Sequence, residues 1–162
     1  MTTHLVHAIG PAVLKELRST DDAGRRMVPV TDDEGGAPLR CCLRRSRPGE
    51  RVALVSYAPL RRWAAGAGVD PGAYDEQGPV FVHAEECDGA TGDGPAGDGP
   101  PFGGAHRVVR RYSPDGRILG GRLVEPGGLE AAFAQAFADP AVEFVHVRAV
   151  EYGCFLYEVR GG

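Results

Sequence analysis

The 162-residue chain has no asparagine and a single lysine, Lys15, so arginine supplies all but one of its 18 basic residues. That skew reads as the codon bias of a GC-rich bacterial genome. It makes any one arginine, by default, a solvated surface group with a buried stem. No apolar run approaches the roughly 20 residues of a membrane-spanning helix; Val52–Val55 is typical of the longest. Acidic residues outnumber basic ones, 22 against 18, and the net charge of −4 leaves no footprint for nucleic acid or an anionic membrane. Met1–Pro11 lacks both the basic start and the apolar stretch of a secretory signal. The expected location is therefore the cytoplasm, where free thiols are the default.

Several motifs are also missing. The four cysteines, Cys41, Cys42, Cys87 and Cys154, contain no C-x-x-C pair, which excludes a zinc-ribbon or thioredoxin signature. Cys41 and Cys42 are adjacent, an awkward arrangement for two ligands of one tetrahedral site, and each cysteine reads first as a small buried hydrophobe. Gly120-Gly121 and Gly127-Gly128 lack the spacing and lysine of a phosphate-binding loop. Asp88, Asp93 and Asp98 match no EF-hand pattern.

What remains is an ordinary globular balance, 43% hydrophobic and 25% charged, with 24 glycines and 13 prolines that predict long irregular stretches. Length points to one domain over 1–162. Within it, 88–104 repeats Gly-Asp-Gly-Pro, offers only Phe102 as a large apolar anchor, and is expected to be a mobile loop. Apolar spacing predicts helices over Pro11–Ser19, Leu60–Ala67 and Gly127–Ala138. Thr20–Leu39 reads mostly as loop. Strands are predicted at Arg51–Tyr57, Pro79–Glu86, Arg107–Tyr112, Arg117–Val124, Glu143–Val150 and Cys154–Val159. The fold class is α+β, a largely antiparallel mixed sheet with helices mainly on one face.

Strand parity sorts the polar residues. Val80, Val82 and Ala84 share one face, and Phe81, His83, Glu85 and then Cys87 the other. Val145, Val147 and Ala149 likewise oppose Phe144, His146 and Arg148. If the two strands pair, His83 and His146 become cross-strand neighbours, with Glu85 and Arg148 one pleat on. Arg110 and Tyr112 extend the group. His83, His146 and Glu85 then form an acid/base set, and Arg110, Arg148 and Tyr112 hold an anionic substrate. The alternative is a metal set of His83, His146 and Glu85 with Cys87 and Cys154. A plain half-exposed strand alternates in the same way, so inert histidines and a Glu85–Arg148 salt bridge are the competing interpretation. A Cys–His nucleophile built on Cys87 or Cys154 lacks an identifiable oxyanion hole. His4, His7 and His106 read as surface residues.

A set of short segments resembles a known family. They are Cys42-Leu43; Pro48-Gly49-Glu50-Arg51 leading to Ser56-Tyr57; Gly78 to Glu85 with Cys87; Arg110-x-Tyr112 with Asp115-Gly116; Val145 to Arg148; and Tyr152-Gly153-Cys154-Phe155. Their order and spacing resemble the bacterial domain-of-unknown-function family numbered 1203, from about Leu39 to Val159. The family pattern has a cysteine two or three residues before the one matching Cys42. Here Leu39 or Arg40 stands there and Cys41 is adjacent instead. The resemblance implies a small bacterial cytosolic domain and no particular activity.

Three function classes follow. The first is a small enzyme using histidine acid/base chemistry on a polar or anionic small molecule. The second is a metal-binding domain. The third is a non-enzymatic small-molecule binding or interaction module, with a homodimer among its forms. The sequence names no cofactor, and among partners it favours a small molecule over nucleic acid or membrane.

Overall fold

The computed structural model describes residues 4–89 and 99–162. Strand β1 (His4–His7) leads into helix α1 (Pro11–Leu17), where Pro11 takes the first helical position and Leu14 and Leu17 are buried. Short strands β2 (Val30–Asp32), β3 (Pro38–Leu39) and β4 (Arg44–Arg45) precede the long β5 (Glu50–Tyr57). Helix α2 (Pro59–Ala67) ends at Gly68, whose φ of 71° suits a residue without Cβ. A 3-10 turn at Gly72–Tyr74 leads to β6 (Gly78–His83). Beyond lie β7 (Arg107–Tyr112), β8 (Ile118–Val124), α3 (Leu129–Phe137), β9 (Phe144–Ala149) and β10 (Phe155–Gly161).

These strands form two sheets where one was expected, and the α+β class holds. The first has the order β1-β10-β9-β7-β8, the second β2-β5-β6-β3-β4. Every pairing is antiparallel except that of β3 with β6. Val145, Val147 and Ala149 of β9 meet Leu129, Ala132, Phe133 and Ala136 of α3, the helical face the sequence predicted. The opposite face of β9 is covered too. Phe144 stacks on Tyr112 and meets Trp63 of α2, so a face read as half-exposed is sealed. Helix α1 lays Leu14 and Leu17 on the second sheet, against Val52, Val55, Val80 and Val82. Phe155 of β10 joins that same core and ties the two sheets together.

The differences from the sequence reading are local. Strand β6 stops at His83, so Glu85 and Cys87 lie on the segment that follows, outside strand parity. His4 and His7 are not surface residues: they sit on β1, paired with β10, and His4 stacks on Phe137. His106 is exposed, as expected. Of the 88–104 loop, residues 90–98 lie outside the described residues. Its end is tied down: the Tyr157 hydroxyl donates to Pro101 O at 2.8 Å, and Arg107 Nε donates to Phe102 O at 2.8 Å.

Candidate metal centre

Strands β3 and β4 form a hairpin whose turn is Arg40–Leu43. The Leu43 N–H donates to Leu39 O at 2.9 Å, and Leu43 adopts φ 56°, a left-handed conformation that a bulky side chain rarely takes. In an extended strand, neighbouring side chains point to opposite faces. In this turn they do not, and the Cys41 and Cys42 sulfurs lie 3.9 Å apart. Two links hold the turn against β6. Leu39 bridges Phe81 in parallel, and the Arg40 N–H donates to Phe81 O at 2.9 Å. The Arg40 guanidinium, buried with no carboxylate partner among the described residues, donates through Nε to Phe155 O at 2.8 Å and so anchors the turn to the first sheet.

This placement brings the two thiols to His83, the last residue of β6. His83 Nδ1 lies 3.4 Å from Cys41 Sγ and 3.8 Å from Cys42 Sγ. Cys87, four residues on, completes the group: one ligand atom from each of Cys41, Cys42, His83 and Cys87 lies within 4.8 Å of all the others. With Zn–S near 2.3 Å and Zn–N near 2.0 Å at tetrahedral angles, two bound sulfurs sit about 3.8 Å apart, and a sulfur and a nitrogen about 3.5 Å. The observed spacings straddle those values.

The surroundings suit such a set. His83 Nε2 lies 2.9 Å from Glu50 Oε2, so with Nδ1 left as the ligand the Nε2–H donates to the carboxylate. Glu50 is clamped by Arg44 at 2.9 and 2.8 Å, which holds its carboxyl well below the usual carboxylate range. The His83 N–H donates to Cys41 Sγ at 3.2 Å. A hydrogen bond from Cys41 pulls the Cys42 thiol down to about 6 against the effect of burial, while the same contact and burial push Cys41 up. A cleft of about 360 Å³, lined by Cys42, Arg44, Glu50, His83, Glu85 and Cys87 among others, opens the group to solvent.

The remaining predicted residues fall elsewhere. Glu85 lines this cleft but pairs with Arg51 at 2.8 Å on the surface, and Glu50 is the carboxylate on His83. His146 lies on β9, in the other sheet, with Nε2 3.2 Å from Glu158. The premise that the two histidine strands pair is therefore corrected: β6 lies between β5 and β3, and β9 between β10 and β7. Burial lowers the His146 pKa despite Glu158. Burial works to raise Glu158, yet His146 and Arg160 hold it below its ordinary value. Arg110, Arg148 and Tyr112 do come together, with His146 and not with His83: both guanidiniums reach Glu76, and Arg110 lies 3.5 Å from the Tyr112 hydroxyl. Cys154 stands apart, near Arg40. Glu50 and the paired thiols were missed as site residues. Glu50 stood just before the strand predicted at Arg51–Tyr57 and figured only in the Pro48-Gly49-Glu50-Arg51 segment of the family resemblance.

A family model for a protein of unknown function, DUF1203, matches residues 36–161. The chain belongs to the DUF1203 family. That match takes in Cys41, Cys42, Glu50, His83 and Cys87 and leaves out β1 and α1. Searches of curated proteins and of solved structures gave no match to this DUF1203 chain. No helix among its described residues is long and apolar enough to cross a membrane.

Proposed function

We propose that this DUF1203 domain binds one zinc ion through Cys41, Cys42, His83 and Cys87. One observation carries the reading: ligand atoms from two distant segments converge within 4.8 Å, with the free nitrogen of the imidazole already held by a carboxylate. Three thiols and an imidazole are a soft set that selects zinc over magnesium or calcium. Four protein ligands close the coordination sphere, where a catalytic zinc keeps one position open. The role is thus structural: the ion clamps the β3–β4 turn to the end of β6. Acid/base catalysis by His83, His146 and Glu85 together has less support, since each imidazole has its own carboxylate in its own sheet. A second reading, an anionic small molecule at Arg110, Arg148 and Tyr112, is favoured by the convergence of both arginines on Glu76 with the Tyr112 hydroxyl beside Arg110, and is developed below.

Elemental analysis of untagged protein purified without chelator tests the metal reading. The expected result is about one zinc per chain, absent from Cys42→Ser and Cys87→Ser, with a melting temperature that falls on chelation. Glu50→Gln retains the ion but binds it about 10- to 100-fold more weakly. Reduced protein that neither carries zinc nor takes it up on addition overturns the reading.

A further inference from the structure

Away from the thiols, the end of the first sheet carries two guanidiniums that share one carboxylate. Arg110 of β7 and Arg148 of β9 both reach Glu76, which lies on the exposed link between the 3-10 turn and β6. Glu76 is the only carboxylate among the described residues bonded to either arginine, so the group is one negative charge short. Its contacts are loose. Arg110 Nη1 lies 3.1 and 3.3 Å from the two Glu76 oxygens, and Arg148 Nη2 lies 3.3 Å from Oε2, where charge-assisted bonds run at about 2.7–2.9 Å. The clamp on Glu50, at 2.8 and 2.9 Å, shows the tight form in the same molecule. The Glu76 side chain is 48% exposed, while Arg148 is 14% exposed and fixed by its Nε bond to Gly153 O. The cations are built in, and the anion is attached from outside.

Behind Glu76 lies a small cavity of about 20 Å³, room for roughly one water-sized group, lined by Glu76, Arg148, Tyr112, Tyr57, Phe155 and His146 among others. His146 is fully buried, and its Nδ1 has no partner among the described residues. With Nε2–H given to Glu158, Nδ1 is a bare acceptor, and an unpaired buried acceptor is costly. Sheet register fixes this arrangement, because Arg110 lies directly opposite His146 across β7 and β9.

We propose that Arg110 and Arg148 form a binding site for a small organic carboxylate, that Glu76 occupies the site as a displaceable internal substitute, and that His146 Nδ1 accepts a hydrogen bond from a hydroxyl or amino group of the ligand. The carboxylate is chosen over other anions because a carboxylate already fits there. The hydrogen-bond donor follows from the bare acceptor on His146, whose ring lines the cavity. The site lies in the other sheet from the thiols and does not depend on whether they hold zinc.

Calorimetric titration with glycolate, acetate and inorganic phosphate tests the site on the wild type, Glu76→Ala and Glu76→Gln. Both changes are on an exposed side chain and leave the fold intact. The expected result is that glycolate binds both variants about tenfold more tightly than the wild type, because the closed form no longer reduces the apparent affinity. Glycolate exceeds acetate, and adding Arg110→Gln to Glu76→Ala abolishes the gain. Absence of glycolate binding in both variants overturns the proposal and leaves Glu76 a surface ion pair. Tighter binding of phosphate than of glycolate overturns the carboxylate assignment, and equal affinity for glycolate and acetate overturns the role of His146.

Discussion

His83 and His146 occupy matching frames in the sequence, Phe-x-His-x-Glu and Phe-x-His-x-Arg, yet the fold gives them opposite environments. His83 ends its strand at the rim of the second sheet, beside two thiols, with a cleft open to solvent. His146 sits in the middle of the first sheet, among Tyr112, Phe144 and Phe155, with no exposed surface. Each imidazole has a carboxylate on Nε2. What differs is the other nitrogen. In His83 it faces sulfur, and in His146 it has no hydrogen-bond partner among the described residues. The same local pattern therefore supplies a candidate ligand in one place and a buried acceptor in the other, and only the surrounding strands decide which.

Truncating each imidazole separates the two most sharply. His83→Ala loses the bound zinc and the response to chelator, while His146→Ala keeps both. His146→Ala instead lowers stability by about 3 kcal/mol, because it opens a cavity and leaves Glu158 buried with only Arg160. Metal analysis and denaturant melts on both variants check this. If His146→Ala lost zinc as His83→Ala does, the contrast would collapse.

Acidity gives a smaller contrast. The buried His146 has a pKa held below its ordinary value near 6.5, so as pH falls below about 6.5 the unfolded chain takes up a proton that the native state refuses. Stability is thus full above that pH and is lost on acidification, by up to about 1.4 kcal/mol per pH unit, until the native value is reached. Glu158 favours the charged imidazole, Arg148 and Arg110 oppose it, and burial decides. His7, also lowered by burial, adds a weaker slope of the same sign. Melts between pH 7 and 5 should show a flatter dependence in His146→Phe; an unchanged slope would place the titration elsewhere. Smallest of all, Glu85→Ala removes an exposed pair with Arg51 and changes stability by less than about 1 kcal/mol. A large loss there would mean that Glu85, and not Glu50, supports His83.

Much of the frame was legible because it is written in local periodicity. The alternation Val145-x-Val147-x-Ala149 and the stripe Leu129, Ala132, Phe133, Ala136 predict the contact that β9 makes with α3. Parity also placed Arg110, Tyr112, His146 and Arg148 in one group. The partner of each strand was not legible, since pairing is a non-local choice and identical faces fit several neighbours. The metal centre was hidden for a related reason. Adjacent cysteines look incompatible when imagined on a strand, and no local signal announces a turn in which Leu43 takes a left-handed φ. Glu50 fell just outside the strand predicted at Arg51–Tyr57, and only β5–β6 pairing brings it to His83.

The parallel bridge of Leu39 to Phe81 has a kinetic consequence. It joins positions roughly forty residues apart, so a large loop must close before the cysteine turn meets β6. Contacts of that kind are expected to form late, after the helices are in place and β5 has paired with β6. The ion proposed for Cys41, Cys42, His83 and Cys87 would therefore bind after the rate-limiting barrier of folding. Such an ion would act as a latch on the finished structure: the expected result is slower unfolding with an unchanged folding rate, a signature confined to the unfolding arm of a chevron plot.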